Sequence, residues 1–117
     1  MATRRFDEKC AVQVILKILG GKWKTLIVYT LLDGTKRFNE LRRIIPDVTQ
    51  RMLTNQLREL EKDKIIIRKV YAQVPPKVEY TLTPIGEALK PILEELEAWG
   101  ACYLEKMKTK IAKQKSG

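Results

Sequence analysis

Between Thr49 and Lys62 the chain carries Thr49, Gln50, Arg51, Thr54, Asn55, Arg58 and Lys62, interleaved with Met52, Leu53, Leu57 and Leu60. At about 100° per residue, the four apolar side chains gather on one side of a helix and Arg51, Thr54, Asn55, Arg58 and Lys62 on the other. The polar types match the edges of a DNA duplex. Arginine reads guanine or holds phosphate, Asn55 and Gln50 can pair with adenine, and Thr49 and Thr54 suit phosphate or a thymine methyl. Arg68, Lys69 and Lys77 follow in an extended region, where they would reach backbone or minor groove. Enzyme chemistry finds no such footing: there is no histidine, Cys10 and Cys102 lack metal-ligand spacing, and no nucleophile–base pair or glycine-rich phosphate loop is present. Neither an enzyme nor a cofactor is expected.

The elements that must position these residues can be read in order. Residues 1–9 have no apolar period and are expected to form a flexible arm. Val12, Ile15, Leu16 and Leu19 mark a short helix ended by Gly20-Gly21. From Lys22 to Leu32 the pattern is apolar almost all round, as in a helix at the centre of a core. Asp33-Gly34 closes it, and Arg37-Phe38 reads as a short extended piece. Leu41, Ile44 and Ile45 form the apolar side of the next helix, which Pro46 must stop. Thr49 is placed to cap the helix that follows. The period then changes: Ile65–Tyr71 and Lys77–Leu82, where Val78, Tyr80 and Leu82 alternate with Lys77, Glu79 and Thr81, read as two strands joined through Val74-Pro75-Pro76, a stiff basic hairpin. Thr83-Pro84 starts the last helix, in which Ile85, Leu89, Ile92, Leu96, Trp99, Tyr103 and Met107 recur at steps of three and four. So long and narrow a seam is expected to meet a second copy of the chain, with a kink or break at Pro91 or Gly100 and fraying from Lys106 onward. A helix packed wholly on its own domain is the competing account of the seam.

Composition fits one compact domain of 117 residues, with a formal charge of +9 that favours a polyanionic partner. That charge is uneven. Residues 36–77 hold eleven Lys and Arg against five Asp and Glu, whereas residues 84–104 hold one lysine against four glutamates. A solvated charged face would scatter the excess; here it sits on the two-helix unit and hairpin. No apolar run is long enough for a membrane span or a signal peptide, and a cytoplasmic protein is expected.

Several strings in order, Cys10-Ala-Val, Gly20-Gly-Lys-Trp-Lys24, Arg37-Phe-Asn-Glu-Leu-Arg-Arg43, Gln50–Leu60, Val74-Pro-Pro-Lys-Val-Glu-Tyr80 and Leu82-Thr-Pro-Ile-Gly86, resemble the HxlR-type, MarR-like winged helix-turn-helix regulators over about residues 10–100. The resemblance implies a bacterial or archaeal homodimer that binds operator DNA, with the helix from Thr49 as recognition helix. It also implies that a cysteine at the place of Cys10 can act as a redox or electrophile sensor. Two departures stand out. Ala11 replaces a common proline, and Lys64 replaces a glycine, which would put a lysine in a left-handed cap at a cost of about 1 kcal/mol.

The expected fold is therefore mainly α with a small β-hairpin wing, a winged helix-turn-helix that dimerises. Residues 36–83 form the helix-turn-helix and wing, and residues 84–110 the dimerisation helix or helices. The expected partners are double-stranded DNA at a near-palindromic site, a second copy, and an oxidant or small-molecule effector. Cys10, after Lys9 and at a helix start, is placed to favour thiolate, although a free cysteine is often a small apolar core residue. A protein-interaction adaptor without operator-specific binding is the alternative. Duplex affinity that falls steeply with salt would separate the two.

Overall fold

The computed structural model describes residues 10–116, with side chains from 10 to 109. The expected arm at residues 1–9 lies outside the described residues. Elements run α1 (Ala11–Leu19), α2 (Trp23–Leu31), β1 (Lys36–Arg37), α3 (Phe38–Ile44), α4 (Gln50–Lys62), β2 (Ile66–Tyr71), β3 (Lys77–Leu82), α5 (Pro84–Glu87) and α6 (Lys90–Ser116). The chain divides into two compact units, one ending at Glu87 and one beginning at Ala88.

In the first unit α2 is central, as its near-continuous apolar sequence requires: Trp23, Ile27, Val28 and Leu31 are buried. Leu41 and Ile45 from α3, Leu53, Leu57 and Leu60 from α4, and Ile65, Ile66, Tyr80 and Leu82 from the sheet region complete the core. Lys24 is buried on the same central helix. The sheet has three antiparallel strands in the order β1-β3-β2, one more than expected. The extra strand is Lys36–Arg37, one residue earlier than the extended piece expected at Arg37-Phe38, since Phe38 already begins α3; it pairs Lys36 with Tyr80 and Arg37 with Glu79. Two residues are too short to show alternation, so only the partner strand reveals it.

Local chemistry sets the helix-turn-helix. Glu40 accepts from the backbone N–H of Arg37 at 3.0 Å and so caps the start of α3. Pro46 follows the end of α3, and Asp47 takes φ 65°, a left-handed conformation that aspartate tolerates. Thr49 caps α4, its hydroxyl accepting from Met52 N–H at 3.1 Å. At the other end α4 closes in a Schellman motif. Lys64 N–H donates to Glu61 O at 3.1 Å and Ile65 N–H to Leu60 O at 3.0 Å, while Lys64 itself has φ 64°. The left-handed lysine expected from the sequence is therefore present. Its carbonyl accepts from the Thr83 hydroxyl, which also accepts from Gly86 N–H at 3.1 Å, tying the end of α4 to the start of α5.

The final helix is interrupted at residues 88–89. Pro91 then falls in the first turn of α6, where its missing N–H costs nothing, and the helix continues through Gly100 without a break. The lysine-rich stretch from Lys106, expected to fray, continues as helix to Ser116. On α6, Ile92, Leu96, Trp99 and Tyr103 are 44, 56, 68 and 49% exposed, and the Trp99 and Tyr103 rings stack one turn apart at 5.4 Å.

Candidate nucleic-acid interface

The basic side chains predicted as a site come from α4 and from the wing. On α4, Leu53, Leu57 and Leu60 are buried and Gln50, Arg51, Asn55, Arg58 and Lys62 are exposed, so one face holds the core and the other meets solvent. Met52, read as part of the apolar stripe, is 40% exposed instead. It stands about 100° from Leu53 and borders the polar face. Two of the predicted hydroxyls already have intramolecular duties: Thr49 accepts as the cap, and Thr54 donates to Gln50 O at 2.8 Å. Each keeps hydrogen-bonding capacity for a second partner. Thr54 is half-buried and lines, with Leu57, Arg58, Glu61, Arg68 and Tyr80, a recess of about 180 Å³ between α4 and the sheet.

Strand alternation divides the three wing cations. Lys69 pairs across the sheet with Glu79, and Tyr71 with Lys77, which places these four on one face; Arg68 pairs with Tyr80 on the other. On the first face the Lys77 ammonium lies 3.1 Å from the Glu79 carboxylate, and Lys77 and Lys69 stand 4.9 and 5.4 Å from the Tyr71 ring centre. The hydrogen bond from Lys77 holds the Glu79 carboxyl below the usual carboxylate range, with Tyr71 and Arg37 adding to the effect against partial desolvation. The wing thus carries its own counterion, which partly neutralises Lys77. On the second face the Arg68 guanidinium is 3.8 Å from Glu61 of α4. Arg68 therefore borders α4, apart from Lys69 and Lys77. Burial beside it pushes the Tyr80 hydroxyl up from its ordinary value.

Sequence reasoning passed over the ion pair that Lys24 makes. The Lys24 ammonium, from the central helix, lies 2.6 Å from the Glu59 carboxylate on the flank of α4. The signal was available: a lysine inside a helix that is apolar almost all round must find a partner when it is buried. Arg37 was read as part of an extended piece without a partner; β1 sets it opposite Glu79.

Cys10 is half-buried and forms the N-cap of α1; its carbonyl accepts from Val14 N–H at 3.0 Å, and its side chain makes no capping bond. Cys102 is exposed on α6. Both are free thiols. Among the described residues no group of three or more Cys, Asp and Glu gathers as a metal site, and no helix is long and apolar enough to cross a membrane.

Comparison with known proteins agrees with this geometry. Residues 18–108 match the family model described as HxlR-like helix-turn-helix. The chain is 54% identical over 100 residues to the HTH-type transcriptional regulator YdeP of Bacillus subtilis (strain 168), covering 86% of this chain and 78% of that protein. Among solved structures it is similar to the redox regulator HypR in its reduced form, with a TM-score of 0.80 and 52% identity over 86% of this chain and 99% of that one. It is also similar to the reduced form of the transcriptional regulator YodB from B. subtilis, with a TM-score of 0.68 and 42% identity over 77% and 89% of the two chains. An exposed basic helix face above a leucine stripe, a charged three-stranded wing and a family match across most of the sequence converge on one assignment: the chain belongs to the HxlR-like helix-turn-helix family and is a DNA-binding transcriptional regulator.

Proposed function

We propose that the protein binds a near-palindromic operator as a homodimer, reading bases through α4 and phosphates through the wing. The observation that carries this reading is the exposed face of α4, where Arg51, Asn55 and Arg58 project opposite the buried Leu53, Leu57 and Leu60. Arg51 and Arg58 are the guanine or phosphate contacts, Asn55 and Gln50 the adenine contacts, and Thr49 and Thr54 the phosphate or thymine-methyl contacts. Lys69 and Lys77 lie along the wing backbone path, and Arg68 supports the same surface from beside Glu61. The exposed seam of α6 supports a helix-to-helix dimer, which would present two recognition helices to half-sites about one turn apart. The test is a titration against the duplex that the protein selects from random sequence. Arg51→Ala and Arg58→Ala should each weaken binding by about 1–3 kcal/mol if bidentate to a base. Unchanged affinity in both variants would refute the assignment.

A thiol input is the second part of the reading, and it is favoured by the likeness to HypR, a redox regulator with reduced and oxidized forms. Cys10 opens α1 with its side chain free of a capping bond, so an oxidant or electrophile that consumes the thiol acts at a helix start. Diamide or a quinone should lower or raise the DNA affinity of the wild type and leave Cys10→Ser unaffected. Equal responses in the two proteins would exclude sensing through this thiol.

A further inference from the structure

We propose that Lys24 and Glu59 form a positioning pair that sets the rotation of the recognition helix about its own axis, and so determines sequence discrimination without touching DNA. This rests on the reading of α4 as the base-contacting helix. Three leucines decide which side of α4 faces inward, but apolar contact is non-directional and leaves the roll of a helix loosely set. A charge pair is directional. Lys24 stands on α2, the central helix of the core, with its side chain only 11% exposed, and its ammonium is 2.6 Å from a Glu59 carboxylate that is itself 55% exposed. A buried ammonium cannot give up its counterion cheaply, so the Glu59 side chain is held where Lys24 puts it. Glu61, about 160° round the helix from Glu59 at 100° per residue, makes the weaker 3.8 Å tie to Arg68 on the opposite flank. The two acidic residues thus hold α4 from both sides while Arg51, Asn55 and Arg58 project between them and away from the core.

The leverage is large. On a helix with a radius of about 5–6 Å including side chains, a roll of about 20° carries a side-chain tip about 2 Å. A hydrogen bond tolerates only a few tenths of an ångström, so such a roll breaks a bidentate base contact. A phosphate contact by a long flexible cation survives it. Loss of the pair should therefore lower specific binding and leave non-specific binding in place.

The test uses full-length Lys24→Met, which keeps the apolar stem, Glu59→Gln, and the double variant. Each is titrated at several salt concentrations against the duplex selected from random sequence by the wild type and against a scrambled duplex. The ratio of the two affinities should fall about tenfold in each single variant, the double should be no worse than either, and scrambled-duplex affinity and salt slope should stay as in the wild type. Simple electrostatics predicts the opposite for Glu59→Gln: removing a negative charge beside the DNA face would tighten both duplexes, and that result overturns the proposal. An unchanged ratio in both variants overturns it as well. A salt slope smaller by about one in Lys24→Met, with both affinities reduced, would make Lys24 a phosphate contact instead. If Lys24→Met does not fold, Glu59→Gln decides, since its side chain is half exposed. Failure of the wild type to select any sequence would instead sink the reading of α4 itself, which distinguishes the two failures.

Discussion

Glycine at position 64 should be more stabilising than alanine there, and the size of the difference can be worked from the end of α4. Lys64 occupies the C′ position of the Schellman motif at φ 64°, where a Cβ crowds the following carbonyl oxygen. That conformation costs a non-glycine residue about 1–2 kcal/mol. Glycine loses more backbone entropy on folding, about 0.5–1 kcal/mol. Removing a lysine near a helix C-terminus also gives up a favourable dipole interaction of about 0.3–1 kcal/mol. Lys64→Ala isolates the backbone effect, because alanine loses the charge and keeps the Cβ. Glycine should exceed alanine by about 0.5–1 kcal/mol, or about 2–4 °C in melting temperature for a chain of this length. Thermal melts of wild type, Lys64→Gly and Lys64→Ala at one protein concentration measure it. Lys64 lies beyond the last turn of α4, so affinity for the selected duplex should change little. Equal stability of the glycine and alanine variants would show that the left-handed conformation carries no strain here.

Three other expectations follow from particular contacts. A Cβ on Gly86 would overlap the Ile65 carbonyl oxygen, so Gly86→Ala must displace α5 from the end of α4 and should cost about 1–3 kcal/mol in denaturant unfolding. Thr49→Ala removes the acceptor of Met52 N–H and should cost about 1 kcal/mol, whereas Thr49→Ser should keep stability near that of the wild type; equal losses would mean the methyl group, not the cap, matters. The Glu79 carboxyl is lowered by Lys77, so its contribution to stability is present above the ordinary glutamate value of 4.5 and is lost as pH falls through the lower folded value. Melts of wild type against Glu79→Gln should therefore differ at neutral pH and converge in acid; a gap that persists in acid would assign the effect to something other than this charge.

What the sequence determined by itself was local or periodic. Leucines at 53, 57 and 60 dictate which side of α4 is inward, Pro46 and Thr49 mark the turn between the two helices, and β-branched residues announce the change to strands. Lys64 was legible as a left-handed cap through the family resemblance, which implies a glycine at that place. The exposed polar face of α4 was visible from the sequence because a helix's two sides follow from its period alone. Tertiary structure decided everything that depends on which strand or helix lies alongside another. The two-residue β1 exists only because β3 offers it an edge, and the division of Arg68 from Lys69 and Lys77 comes from cross-strand register, which a charge count does not contain. Met52 fell outside the core because it stands about 100° from Leu53, at the edge of the polar face. Lys24 meets Glu59 across 35 positions of chain, and no spacing rule links residues so distant; only the packing of α2 beside α4 turns an isolated lysine in an apolar helix into a counterion for Glu59 of α4.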